Sequence, residues 1–402
     1  MKKILLCILL LGSQLHSQII TNEDSLNAGL RPSVANIAIS GYGEVKYHYN
    51  ATLQEGKAQV VRNVLFIGSK LSSKALLFSE LELENSRTSQ NNPFGSFSLE
   101  QLVLKLDISR NHYVLAGLYL PRIGFMNENH LPITFHSNDR PLVETLILPS
   151  TWREIGVCLY GTTPQVPGLH YSVGISNGMD ASKLQMGSGL RDARGSGYST
   201  SGRNMALNAS LLYYINDFRL QASTYLGGSV GMNNKSADSL GLQTGLFGTP
   251  ISVNEMNAMY KHKGITAKVL GAVIYIPQAD KINAAFTNNT ANLLYGFYGE
   301  ISYDLLYNKY KGDKTFNIFT RYEKLDLNAS IPINGIANDA FNQHQIVAGA
   351  SFQPFRKIII KFDYTTQITG EQNNAFIINP YPQLIPYDKV QHKFNLGIAY
   401  SF

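Results

Sequence analysis

The chain has 402 residues, of which 44% are hydrophobic and only 15% charged, with a formal net charge of +6. Charge this sparse, beside 34 Gly, 23 Tyr and 19 Phe, leaves no dense basic stripe of the kind nucleic-acid binding needs. Past the first dozen residues no stretch approaches 18 uninterrupted apolar residues, which excludes a transmembrane helix.

Met1-Lys2-Lys3 is basic, Ile4 to Gly12 is an apolar run too short to span a bilayer, and Ser13 to Gln18 is polar. This is the three-part layout of a secretory signal, with cleavage expected near Ser17-Gln18. Cys7 lies inside the run with no cleavage site before it, which argues against a lipoprotein anchor, and Cys158 is then the only mature thiol, so no internal disulfide can form. The expected organisation is a signal peptide over residues 1–17, a short periplasmic segment over 18–35 and one domain over 36–402. An exported chain with low charge, many aromatic residues and no apolar helix has the composition of an all-β outer-membrane barrel.

The pattern along the chain carries this further. A barrel strand alternates apolar lipid-facing with polar lumen-facing residues for about ten positions. Sixteen segments fit: 36–49, 57–69, 74–86, 98–108, 111–120, 153–161, 169–176, 203–215, 217–228, 256–262, 264–276, 294–306, 314–323, 343–353, 356–367 and 391–402. The tenth has the weakest pattern, and fourteen or eighteen strands also agree with the sequence. Ile318, Thr320 and Tyr322 alternate with Phe319, Arg321 and Glu323, and Ile358, Ile360 and Phe362 with Ile359, Lys361 and Asp363. Such charged rows suit a watered lumen and would be rejected by a packed sandwich core.

The connections alternate in length. Ser109-Arg110, Thr162 to Gly168, Asn216-Asp217, Lys263-Gly264, Asn308 to Asp313 and Pro354-Phe355 are short; Pro121 to Trp152, Asn177 to Gly202, Gly228 to Glu255 and Thr369 to Val390 are long. This predicts short periplasmic turns, long extracellular loops and both termini on the short-turn side. Phe394, Leu396, Ile398, Tyr400 and Phe402 form an apolar stripe, predicted to be the closing strand, paired with the segment near Ile37 to Tyr49. An aromatic last strand of this kind also resembles the signal read by bacterial barrel-assembly machinery, which makes that machinery an expected partner beside outer-membrane lipid.

Three segments carry a family resemblance: Gly117-Leu118-Tyr119-Leu120-Pro121-Arg122-Ile123-Gly124, then Arg153-Glu154-Ile155-Gly156-Val157 with Gly161, then Tyr171-Ser172-Val173-Gly174-Ile175-Ser176-Asn177-Gly178. Their order and spacing resemble the phosphate-selective porin O/P family, over about sixty residues. The resemblance implies a sixteen-stranded homotrimeric pore for small anions. That family's phosphate-binding ladder has no placed counterpart in this chain.

A pore filters by its narrowest section and the charges around it. The third loop, 121–152, is the candidate constriction and holds Arg122, His130, His136 and Arg140 against Glu128, Asp139 and Glu144. Arg122, Arg140, Arg153, Lys105, Arg321 and Lys361 are the candidate selectivity residues. Arg219 and Lys357 share their lumen parity, and Glu80, Glu82, Glu84, Glu300 and Asp304 supply opposing charge. The sequence holds no phosphate-cradling loop, G-x-S-x-G, G-x-G-x-x-G or H-E-x-x-H motif, so neither an enzyme nor a cofactor is expected. His130 and His136 suit no common metal spacing, and Cys158 is expected to pack rather than react. Three function classes stand: a passive pore for small hydrophilic solutes, a plugged barrel serving as adhesin or scaffold, and a barrel-embedded hydrolase.

Overall fold

A computed structural model describes residues 37–84, 96–197, 202–309, 313–373 and 388–402. The predicted signal peptide and periplasmic segment lie outside them. Sixteen strands pair antiparallel, each with its sequence neighbours, into one closed barrel. In chain order they are β1 (Ile37–Asn50), β2 (Glu55–Ser72), β3 (Ala75–Glu84), β4 (Ser96–Asp107), β5 (His112–Tyr119), β6 (Glu154–Thr162), β7 (Leu169–Asn177) and β8 (Met205–Ile215). β9 (Phe218–Gly227), β10 (Ile251–His262), β11 (Ile265–Tyr275), β12 (Leu293–Asp304), β13 (Thr315–Ser330), β14 (Asn342–Phe355), β15 (Ile358–Thr369) and β16 (Val390–Ser401) complete the wall. Among the described residues three short α-helices sit in the loops: α1 (Val143–Leu146), α2 (Asn234–Ser239) and α3 (Ala279–Phe286). No helix among the described residues is long and apolar enough to cross a membrane.

Closure follows from hydrogen-bond accounting. An open strand edge in hydrocarbon leaves backbone groups unsatisfied at several kcal/mol each, so the first and last strands must meet. β1 pairs with β16 from Tyr42 opposite Ser401 to Asn50 opposite Lys393, and the Phe402 N–H donates to the Gly41 carbonyl at 2.9 Å. Phe394, Leu396, Ile398, Tyr400 and Phe402 all face outward. Gly41 and Gly43 give the last two rings room. A Cβ at Gly41 would stand 2.7 Å from the Phe402 ring, and one at Gly43 2.7 Å from the Tyr400 hydroxyl.

Fifteen of the predicted segments match a strand to within a few residues at their starts, but two run on where the pattern had been read as ended. β10 begins at Ile251, so Glu255 belongs to a strand and not to the fifth loop, and β13 continues to Ser330. The reason is the same in both. At their extracellular ends the polarity inverts: Ile251, Val253, Leu325 and Leu327 point inward and are buried, while Ser252, Asn254, Lys324 and Asp326 take the outward positions. Those inward residues pack beneath the loops. Met179, Leu184 and Leu190 from the 178–204 connection, Val230 and Leu242 from 228–250, and Ile282 from α3 join them in one buried apolar cluster.

Candidate functional site

The third loop, which joins β5 to β6, folds into the barrel. Its two ends are sewn together by Asn127, whose side-chain amide donates to the carbonyls of Pro121 (2.7 Å) and Trp152 (3.0 Å) and whose oxygen accepts from the Trp152 N–H (2.6 Å). The Trp152 indole donates to Glu154 at 2.7 Å and rests on the Tyr225 ring, centroids 4.8 Å apart. Gly124 takes a positive φ of 70° here, its N–H donating to Glu255 at 3.2 Å. A Cβ would stand 2.5 Å from a Glu144 oxygen. The spacing of Pro121 and Gly124 thus has a local cause: the chain must turn inward under a carboxylate with no room for a side chain at Gly124.

From this seam the loop crosses to the opposite wall and is held there by polar anchors. His130 meets Glu80 at 3.1 Å, the Ile133 carbonyl accepts from Gln353, and His136 meets Ser351. Ser137 is gripped twice: its hydroxyl accepts from Arg321 at 2.6 Å and its carbonyl from the Lys361 ammonium at 3.0 Å. The N–H and side-chain amide of Asn138 both donate to Asp363. Asp139 pairs with Lys46 at 3.4 Å, and the Val143 N–H donates to Glu323. Glu144 accepts from the Phe125 and Met126 amides and from the Tyr298 hydroxyl. Burial still lifts its pKa to about 7, and burial lowers that of His136 to about 4.

Five of the six candidate cations are committed to such contacts. Arg321, 2% exposed, binds Glu300, Glu323 and Ser137. Lys361 also lies 3.7 Å from the Phe135 ring centroid. Arg122 pairs with Glu128 at 2.6 Å over the Tyr160 ring, Lys105 with Asp107 at 3.1 Å, and Arg153 with Glu100. Arg219, their companion by parity, binds Asn257 and Gln221. Lys357 is an exposed turn residue between β14 and β15 rather than a lumen residue. Cys158 is buried among Val103, Leu115, Tyr119 and Tyr160.

Arg140 differs. It is half-buried on the loop tip and makes no hydrogen bond or ion pair among the described residues. Burial and then the nearby Arg62 guanidinium lower its pKa to about 10, against the opposite pull of Glu44 and Glu82. It stays protonated at neutral pH while short of countercharge. Next to it, the Asp139 side chain is 60% exposed even though it touches Lys46, an inward residue of β1. Solvent therefore reaches the loop tip from within the barrel. Of the residues that line this edge, Asp363 was read from the sequence as part of a charged lumen row, while Lys46, Arg62 and Glu44 were not singled out. Arg62 follows Val60 and Val61 at a β-bulge opposite Glu44 and Val45, which breaks the alternation that would have flagged it.

No family model matches the chain. An uncharacterized protein of Aquifex aeolicus (strain VF5) is 26% identical over 361 residues, spanning 85% of this chain and 79% of that one. Among solved structures, OmpF of Salmonella typhi in complex with daunomycin superposes with a TM-score of 0.57 at 12% identity, over 93% of this chain and 99% of that chain. The outer-membrane channel DcaP of Acinetobacter baumannii (0.54, 12%, 92% and 99%) and an anion-selective porin from Comamonas acidovorans (0.51, 12%, 92% and 100%) have the same architecture. Barrel closure, strand number and an inward third loop together give this chain the fold of an outer-membrane porin.

Proposed function

We propose that the protein is an outer-membrane channel for passive diffusion of small hydrophilic solutes, with a preference for anions set at Arg140. The carrying observation is the loop tip, where an arginine without a partner and a solvent-exposed Asp139 sit inside a closed barrel. The porin neighbours and the exported character of the sequence support the location. A cation short of countercharge on a loop inside a closed barrel favours anions over cations in transit. The tightly paired Arg122, Arg153, Lys105, Arg321 and Lys361 then act indirectly, by fixing the shape of the constriction. Phosphate preference and a homotrimer belong to the same proposal, on the resemblance of the 117–178 segments to phosphate-selective porins; assembly through the last strand, ending at Phe402, rests on a similar resemblance.

The test is single-channel current of the refolded protein in a planar bilayer under a salt gradient. Stepwise openings with an anion-side reversal potential, moved toward neutral by Arg140→Gln, support the proposal; openings indifferent to that change sink the anion preference. Phosphate that fails to reduce chloride current would remove phosphate specificity. A second reading, a plugged barrel serving as adhesin or scaffold, is favoured by the apolar cluster under the extracellular loops. A silent barrel that retains heat-modifiable gel migration would select it.

A further inference from the structure

The two rims of the barrel differ in how their charges are used. On the periplasmic rim every described carboxylate is already engaged. Asp107 pairs with Lys105, Asp217 with His262 at 2.9 Å, and Asp313 with Arg356 at 2.7 Å; Asp304 accepts from the backbone amides of Leu306 and Phe316. The turn cations Lys74, Arg110, Lys263, Lys309 and Lys357 are exposed, with no side-chain ion pair among the described residues. They sit on five of the seven periplasmic turns. On the extracellular loops, by contrast, Lys183 pairs with Asp180 and Lys389 with Glu371, and unengaged charges of both signs remain.

Position decides what such a ring meets. Each of the five cations lies two or three residues from an exposed apolar side chain on the lower edge of the wall. These are Leu71 for Lys74, Ile108 for Arg110, Ile265 for Lys263, Tyr307 for Lys309 and Phe355 for Lys357. Large apolar and aromatic side chains at a barrel's edge mark the limit of the hydrocarbon, so a long cationic side chain just beyond them ends among headgroups. Lys70 and Lys261, in contrast, stand at strand ends with lumen parity.

We propose that the periplasmic turn ring binds the phosphate groups of anionic phospholipid in the membrane leaflet around it, fixing the barrel's depth and gathering acidic lipid at its base. Near-surface cations attract anionic lipid with an energy that corresponds to about fivefold enrichment each, screened by salt. The inference needs only the membrane placement of the barrel and is independent of conduction.

The experiment uses the full chain in phosphatidylcholine vesicles containing trace spin-labelled phosphatidylglycerol or phosphatidylcholine, reading the motionally restricted lipid fraction. The expected result is enrichment of the phosphatidylglycerol probe by about fivefold or more, lost in high salt and lost in the variant K74Q/R110Q/K263Q/K309Q/K357Q. Heat-modifiable migration checks that the variant is folded; if it is not, the salt dependence of the unaltered protein carries the test. Equal restriction of both probes overturns the proposal. So does enrichment that survives the five changes or salt, or that disappears only with K70Q/K261Q, which would place it at the pore mouth. Loss of enrichment on replacing chloride by inorganic phosphate at equal ionic strength would point to a free-anion site and also overturn it.

Discussion

The interior of the barrel has two unlike sides. Along β8 to β13 the extracellular half is lined by Ala206, Tyr225, Ile251, Ile274, Leu294 and Leu327, which pack with the loops into an apolar core. From β13 through the closure to β4 the middle of the wall is lined by Arg321, Lys361, Asp363, Lys46, Arg62 and Glu82, all in ion pairs or hydrogen bonds. The first side behaves like the core of a soluble domain: it closes part of the mouth and gives the third loop a rigid base at Trp152. The second can hold charge because Arg321, Lys361, Asp363, Lys46, Arg62 and Glu82 each have a charged or hydrogen-bonding partner and water reaches its edge at Asp139. One wall anchors the loop by shape and the other by charge, and the solvent-exposed Asp139 lies on the charged one.

The sharpest break in this comparison is Arg321→Ala on the charged side. It leaves Glu300 and Glu323 buried without their guanidinium and releases Ser137, an expected loss of about 3–5 kcal/mol from loop seating. Hydrogen exchange of residues 133–140 should rise and channel conductance should change; unchanged exchange there would mean that Arg321 is no anchor. On the apolar side, Trp152→Ala should cost about 3–5 kcal/mol through the cavity beside Tyr225. Its exchange signature should appear at the loop base, around Asn127, and ion selectivity should stay as it was.

Glu144, held by Phe125, Met126 and Tyr298 on the apolar side, makes the seating pH-dependent. Its pKa rises from the ordinary 4.5 to about 7 in the folded loop. A carboxyl raised on folding binds its proton more tightly in the folded state. Its contribution is therefore fully present below about pH 4.5 and is lost as pH climbs to about 7, by about 3 kcal/mol in all. Loop protection measured at pH 5 and pH 8 should differ accordingly, and Glu144→Gln should flatten the profile; a profile that remains steep in that variant assigns the dependence to another group. The smallest effect on stability belongs to Arg140→Gln. A side chain without partners should shift stability by no more than about 0.5 kcal/mol, while moving the reversal potential. Thermal unfolding and conductance measured on the same preparation separate the two outcomes.

Several parts of this architecture could be read from residue order, and the residues tell why. The outward stripe from Phe394 to Phe402 and the Ile358 to Phe362 alternation are imposed by lipid on one face and water on the other, a rule local to each strand. The same rule misread β10 and β13, because Ile251, Val253, Leu325 and Leu327 obey a neighbour about which the strand itself says nothing. Loop residues supply that neighbour. Arg62 was hidden by a bulge, and Lys357 was given a lumen position by continuing alternation into a turn.

By itself, the sequence determined where most strands lie, their polarity away from the extracellular ends of β10 and β13, the alternation of loop lengths and the closing partner, since period, lipid contact and backbone hydrogen bonding act over a few residues at a time; the count of sixteen, which the sequence left beside fourteen and eighteen, was decided by the closed barrel. Only the tertiary structure decided that the third loop turns inward, that five of six candidate cations are held in contacts while Arg140 is not, and that the two sides of the lumen differ. Those outcomes depend on which side chains from distant strands meet across the barrel. Pairing of that kind has no period along the chain.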